Sequence, residues 1–509
     1  MLENSVLGKT YDIWLNSGVF AVLQAVYRAF SRSFANSTIV HFFVRESRVE
    51  RVYAQSFTAK IFKWIFDFIF CIFRKISNWV KTAAEGSITA SFAKRFLRTS
   101  FFFSFETLLG GFICLMFIIP HEYWSNTYAL LGVAALTGLY FIMVGSGARK
   151  PYYLHQMGLP VLLFAIACVL GVYASFDRSD SLRVFTFFVT ALLFLYVISA
   201  DITTEKRLMR LLGFIYTAVI ITALYAIYQR FVGVDVSASL TDLTVNKGVP
   251  GRVFSTLANP NNYAEFLAMM TPAAAVFAMN VKSKLLRVPL CCAIIFPFVA
   301  LLMTYSRSSW IAMLLACVIF VYYSNKKLLP AFFLIFIAVI PLLPDSIMIR
   351  VQSLFNSDDS SNMFRIYIWS GATEIARDYL MTGIGLGPNS FAEIYPAYAH
   401  PLAEVGAPHS HMVYLELIIE LGILGFISFM WYMLSLWKDS ACALLKSKRP
   451  LVKLALCACV ASLVGIAFTF AVEYVWYYPR TLFAYFILAG IAAASIRIVK
   501  KKREDSKPS

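Results

Sequence analysis

The sequence predicts an all-α polytopic membrane protein with about twelve transmembrane helices. It also predicts a large outer loop between spans nine and ten and a basic cytoplasmic N-terminal region. Of the 509 residues, 60% are apolar and only 14% are charged, where a soluble domain averages about 45–50% and about 25%. The mean hydropathy is +0.70. The apolar residues also fall into runs long enough, at about 1.5 Å per helical residue, for the roughly 30 Å hydrocarbon core. A soluble globular protein is therefore excluded. The net charge of +17, from 45 Lys and Arg against 28 Asp and Glu, points to basic cytoplasmic loops rather than to a nucleic-acid partner.

Twelve stretches qualify as spans, near 101–120, 126–145, 157–176, 182–199, 208–232, 262–280, 286–304, 308–323, 327–344, 412–436, 452–472 and 479–497. Lipid offers the backbone no water and the runs lack the alternation of a membrane barrel, so helices are expected. The basic residues set the orientation. Alternate loops carry Arg149 and Lys150, Lys206 to Arg210, Lys282 to Arg287, Lys326 and Lys327, and Lys438 to Lys453, and residues 498–509 form a basic tail. The positive-inside rule then puts both termini in the cytoplasm of a multi-pass protein of the plasma (inner) membrane.

Ten basic residues remain outside, and nine of them are arginine: Arg178, Arg183, Arg230, Arg252, Arg307, Arg350, Arg365, Arg377 and Arg480, beside Lys247. Planar guanidinium groups match phosphate or carboxylate oxygens pairwise, which a general demand for positive charge does not explain. The plainer reading is pairing with acidic residues in the outer loops, for Arg365 within its own loop. None of the nine cysteines falls in an outer loop, so no disulfide framework is expected.

Residues 1–100 form a basic cytoplasmic region, with 14 basic against 6 acidic residues and no signal peptide. The apolar run Ile61 to Phe73 is too short to span comfortably. Lys60, Lys63, Asp67, Arg74, Asn78 and Lys81 share one helical face, and Trp64, Phe66, Phe68 and Phe73 lie on the others. An amphipathic membrane-surface helix over about 60–81 is expected, with a partner-binding helix as the rival.

The span domain covers 101–497, and two of its outer loops exceed what connection requires. The first, about 233–261, contains Gly248-Val-Pro-Gly-Arg252 and Ala258-Asn-Pro-Asn-Asn262. The second, about 345–411, reads as ordered: a helix from Asn362 to Leu380 stops at Gly383, Gly385 and Gly387, and the chain returns through Pro408-His-Ser-His411.

These segments resemble the O-antigen ligase and O-antigen polymerase superfamily. The resemblance rests on Gly251-Arg252-Val-Phe before Asn259-Pro-Asn-Asn, and on Tyr305-Ser-Arg307-Ser-Ser-Trp310 at a span start. It continues with Arg365 and Trp369 followed by Gly383-Ile-Gly-Leu-Gly387, then His409-Ser-His411 before Tyr414-Leu415 and Glu420-Leu-Gly422. It covers about 250–430. The chain departs from it at His411-Met412, where the family commonly has His-Asn, and the first hundred residues lie outside the family core.

The resemblance implies a membrane glycosyltransferase of cell-surface polysaccharide assembly, ligase-like or polymerase-like. Such an enzyme moves a saccharide from a polyprenyl-diphosphate donor to a glycan, lipid or wall acceptor at the outer face. On that reading Arg252, Arg307 and Arg365 are the diphosphate cradle, since a leaving diphosphate needs fixed donors in a site of low dielectric. His411 is the catalytic base or positioning group, with Arg307 also catalytic. Secondary candidates are His409, Asn259, Asn262, Gly385 and Gly387, the glycines as a phosphate nest or simply as a turn. Trp369 reads as packing. No nucleotide-binding loop, H-E-x-x-H or D-x-D occurs, so no metal or cofactor is expected. The alternative is a twelve-span transporter or flippase of lipid-linked oligosaccharide, for which Glu106 and Glu265 are the acidic residues inside apolar segments.

Overall fold

The computed structural model describes residues 48–85, 87, 104–234, 251–353, 360–401 and 407–504, with parts of 12–32. Every regular element among them is helical. We number the helices α1 (Arg48–Gln55), α2 (Phe57–Ala84), α3 (Phe105–Ile118), α4 (Asn126–Gly145), α5 (Leu159–Ala174), α6 (Arg178–Asp201), α7 (Glu205–Val232), α8 (Pro260–Asn280), α9 (Lys284–Ala293) and α10 (Ile295–Met303). They continue with α11 (Arg307–Asn325), α12 (Leu329–Val339), α13 (Asp345–Gln352), α14 (Ser360–Asp378), α15 (Pro388–Ile394), α16 (Val413–Lys446), α17 (Pro450–Thr469) and α18 (Pro479–Glu504).

Among the described residues, each of the twelve intervals read as spans overlaps helix. Among the described residues, eight helical stretches are long and apolar enough to cross a membrane, with α3 and α5 as shorter apolar helices. The protein is a multi-pass membrane protein. The eighth and ninth intervals form one apolar stretch, Arg307–Leu342. α8 lacks the apolar density of the others because Asn261, Asn262, Glu265 and Thr271 interrupt it, and it is buried among neighbours along most of its length.

Caps fix where helices begin. Asp177 accepts the N–H groups of Ser179 and Asp180 at the start of α6, and Thr204 accepts that of Arg207 at the start of α7. Asn259 accepts the N–H of Asn261, with Pro260 in the first turn of α8. The core forms where α6 packs on α18, α11 and α8 on α17, α3 on α7, and α5 on α16. At its centre Trp476 meets Phe429 at 4.7 Å and Phe470 at 5.3 Å between ring centroids. This aromatic cluster fixes the turn between α17 and α18.

The helix expected over 60–81 is longer, as α2, and its two sides differ. Phe66 and Phe70 pack on Phe141 of α4, and Tyr153 donates its hydroxyl to Asp67 at 2.8 Å. Trp64, Phe68 and Trp79 point outward and are exposed. The large loop carries α13, α14 and α15, as its composition led us to expect of an ordered segment. The described cysteines are free.

Candidate functional site

The end of the bundle where α8, α11, α16 and α18 start gathers most of the candidate residues. Arg307 is the first residue of α11, His409 and His411 immediately precede α16, and Arg365 lies in the first half of α14. Four non-glycine residues among those described have left-handed backbone: Ser255, Ala258, Tyr305 and His411, with φ of 52°, 67°, 53° and 56°. All four lie in segments that bear Arg252, Asn259, Arg307 or His411. Such conformations are held only where the surrounding structure dictates them, and they concentrate at functional sites.

Glu473 is the centre of the arrangement. Its Oε2 accepts a hydrogen bond from Arg365 at 2.7 Å, and its Oε1 stands 3.3 Å from His411 Nδ1. Burial by itself would raise this carboxyl, but Arg365 and the two histidines hold it at about 2. An ionised carboxylate only accepts, so the hydrogen between the two belongs to His411 Nδ1. In a neutral ring that leaves Nε2 as the acceptor.

His409 has a different environment. Its Nδ1 accepts the N–H of His411 at 3.1 Å, and its ring lies 4.2 Å from that of His411 and 4.6 Å from Tyr477. Burial first, and then the neighbouring His411, lowers its pKa to about 3. It is therefore a neutral imidazole at ordinary pH.

The arginines come from separate segments. Arg252 donates through Nε to the Thr304 carbonyl at 2.7 Å and through a terminal nitrogen to Asn261. Burial, together with the positive charges of Arg350, Arg307 and Arg365, lowers its pKa to about 9, while Glu473 opposes the shift. Arg307 donates to the carbonyl and hydroxyl of Ser353 at 2.9 and 3.0 Å, and Arg350 donates to the Tyr305 carbonyl at 3.3 Å. The Arg252 and Arg307 side chains are both buried. Arg365 pairs across the fold with Glu473 of the turn before α18.

The remaining candidates stand around this centre. Asn259 donates to the Tyr478 hydroxyl at 3.3 Å. Asn262 is buried in the first turn of α8, its side-chain nitrogen without a partner among the described residues. Gly385 and Gly387 are tied elsewhere. The Gly385 N–H reaches the Glu420 carbonyl at 3.2 Å, and the Gly387 N–H reaches the Glu420 carboxylate at 2.8 Å. That carboxylate also accepts the Tyr474 hydroxyl at 2.9 Å. Through Glu420 the glycine turn thus holds the residue next to Glu473. A side chain at Gly385 would strike Ser175, and one at Gly387 would strike Asp180.

Glu106 lies at the other end, in ion pairs with Arg149 and Arg207 at 3.3 and 2.5 Å. Glu265 is buried in α8. Sequence reasoning did not single out Glu473, Tyr474 or Tyr477, and it named Arg350 only among the outer arginines. The one available signal for Glu473 was a lone acidic residue at the end of an apolar run, ahead of the aromatic turn Tyr474-Val-Trp-Tyr-Tyr478.

The O-antigen ligase family matches residues 292–430. The match begins in α9, runs through α11 and the large loop, and ends in α16, so it takes in Arg307, Arg365, His409 and His411. It supports the O-antigen ligase and polymerase superfamily and a membrane role in glycan assembly. No curated protein matches the chain.

Proposed function

We propose that this multi-pass membrane protein is a glycosyltransferase of the O-antigen ligase or polymerase type. In this reading it carries a saccharide from a polyprenyl-diphosphate donor to an acceptor hydroxyl at the outer face, without a metal. Twelve spans with both termini cytoplasmic belong to the same reading, which the basic residues of the alternate loops support.

The observation that carries it is the gathering of Arg252, Arg307 and Arg365, from three separate segments, around the His411–Glu473 pair. Arg350 joins them. A diphosphate leaving group develops negative charge as the bond to the anomeric carbon breaks, and guanidinium groups fixed by Thr304, Asn261 and Ser353 meet that charge without reorganising. His411 Nε2 takes the proton of the acceptor hydroxyl as its oxygen bonds to the anomeric carbon, and the diphosphate departs with the bonding electrons. Glu473 keeps the imidazole in the tautomer this needs and stabilises the imidazolium that forms. His409, neutral and bonded through Nδ1 to the His411 backbone, positions the left-handed turn. α2 lies at the membrane surface with Trp64 and Trp79 in the interface.

The experiment is mass spectrometry of polyprenyl-linked glycans in cells lacking the protein, complemented with wild type or His411→Ala. Single repeat units accumulating without wild type identify a polymerase, and long lipid-linked polymer identifies a ligase. If neither accumulates, or if His411→Ala restores the normal pattern, the proposal fails.

A further inference from the structure

A cavity of about 800 Å³ lies at the end of the bundle away from His411 and Glu473. α16 and α18 connect the two places. Asp439 of α16 and Arg497 of α18 line the cavity, and at about 1.5 Å per residue Arg497 lies roughly 27 Å along α18 from the end that bears the site. This cavity is therefore separate from the site at His411 and Glu473.

Its wall is cationic: Arg149, Lys150, Arg207, Arg497 and Lys500 line it, with Asp439 as an acidic counterpart. Behind the wall, Asp201 takes the Arg149 Nε at 2.7 Å and Glu106 takes the Arg207 Nε at 2.5 Å, while Arg210 also approaches Glu106 at 3.7 Å. These carboxylates offset part of the charge and hold the guanidinium groups in place. Among the described residues Arg497 donates to the carbonyls of Ser199 and Ala200 at 2.9 and 3.1 Å, and it lies over the Tyr152 ring at 4.5 Å. Its full charge is thus left without a carboxylate partner in those contacts. Lys500 meets Asp439 at 3.3 Å and is otherwise exposed, and Lys150 is exposed. The cavity retains a positive excess from several directions, which suits an anion with oxygens on more than one side.

The rim adds a second element. Tyr53 and Ala54 of α1 form part of the wall, and α2 follows directly. α2 is fastened beside the cavity by the Tyr153–Asp67 hydrogen bond, and it turns the exposed Trp64, Phe68 and Trp79 outward. In a membrane protein such an apolar face sits at the level of lipid head groups.

We propose that this cavity is a second ligand site that takes a phosphate-bearing anion, either the head group of an acidic membrane lipid or a soluble phosphate compound. The test uses the full-length protein. Its melting temperature and saturable binding are measured in nanodiscs of dioleoylphosphatidylcholine with and without dioleoylphosphatidylglycerol, and in neutral detergent with inorganic phosphate. The paired variant Lys150→Glu/Lys500→Glu changes exposed side chains and leaves the core intact. Lys282→Glu/Lys284→Glu, also exposed, controls for general attraction between a basic surface and an acidic bilayer. The expected result is saturable phosphatidylglycerol binding that weakens by at least about thirty-fold in the first variant, the loss of two cations' worth of head-group attraction alone, and holds in the control. Saturable binding of inorganic phosphate with the same variant pattern supports the soluble source. No saturable binding of either probe, or equal loss in both variants, overturns the proposal.

Discussion

His411 and Glu473 are 62 residues apart in the chain, yet His411 Nδ1 lies 3.3 Å from Glu473 Oε1. The contact joins the return from the large loop to the turn between the last two helices. It makes one carboxylate responsible for both the histidine and Arg365.

Replacing either partner separates catalysis from stability. His411→Ala is expected to lower transfer by about 10²- to 10⁴-fold, the usual contribution of a positioned base, with little change in melting temperature. Glu473→Ala is expected to lose activity and to lower the melting temperature, because it removes the carboxylate that Arg365 and His411 share. Transfer assays and thermal melts in detergent, run on the same preparations, check both. A His411→Ala protein with wild-type turnover would remove the histidine from the reaction.

Arg307→Lys is expected to be nearly as damaging as Arg307→Ala, at about 10²-fold in transfer. Both bonds to Ser353 come from Nη1, and lysine keeps the charge but lacks the second terminal nitrogen and the Nε–H with which a guanidinium meets a diphosphate pairwise. Full activity in Arg307→Lys, at equal protein level, would show that a point charge suffices.

Acid should weaken the fold in two stages. The His409 pKa lies at about 3, below its ordinary 6.5, so the unfolded chain binds this proton first. Its contribution is complete above pH 6.5 and fades as pH falls toward 3. Glu473, at about 2 against an ordinary 4.5, contributes fully above pH 4.5 and loses that contribution between 4.5 and 2. Melting temperature measured against pH should therefore start to drop below about 6.5 in wild type. In His409→Gln the drop should start nearer 4.5. An unchanged onset would mean that another group governs the first stage.

Gly385→Ala is expected to destabilise the protein by about 1–3 kcal/mol or more, since φ is +101° and an added Cβ would collide with the Ser175 side chain. Gly387 is constrained in the same way, with φ of +100° and Asp180 close by. If this turn serves as scaffold, donor binding per folded molecule should not change, and a donor-binding assay on the Gly385→Ala protein decides it.

The helices were legible because each is specified locally. An apolar run has a length, and Asp177, Thr204 and Asn259 each mark a helix start within a few residues of the groups they cap. The resemblance over about 250–430 likewise rests on short motifs and made Arg252, Arg307, Arg365 and His411 candidates. Glu473 was not legible in this way. Nothing in Val472-Glu-Tyr474 says which loop it will face, and its partners lie 62 and 108 residues away.

The sequence by itself determined an all-helical membrane protein, its apolar stretches and the arginine-rich character of the segments that connect some of them, because hydropathy and charge act through composition and spacing along the chain. Only the tertiary structure decided that Arg365 reaches across the fold to Glu473. It also decided that His409 is buried and neutral beside His411, and that the glycine turn is bound to Glu420. Ion pairing, burial and hydrogen bonding between distant segments depend on distances in space, and those exist only once the helices have packed.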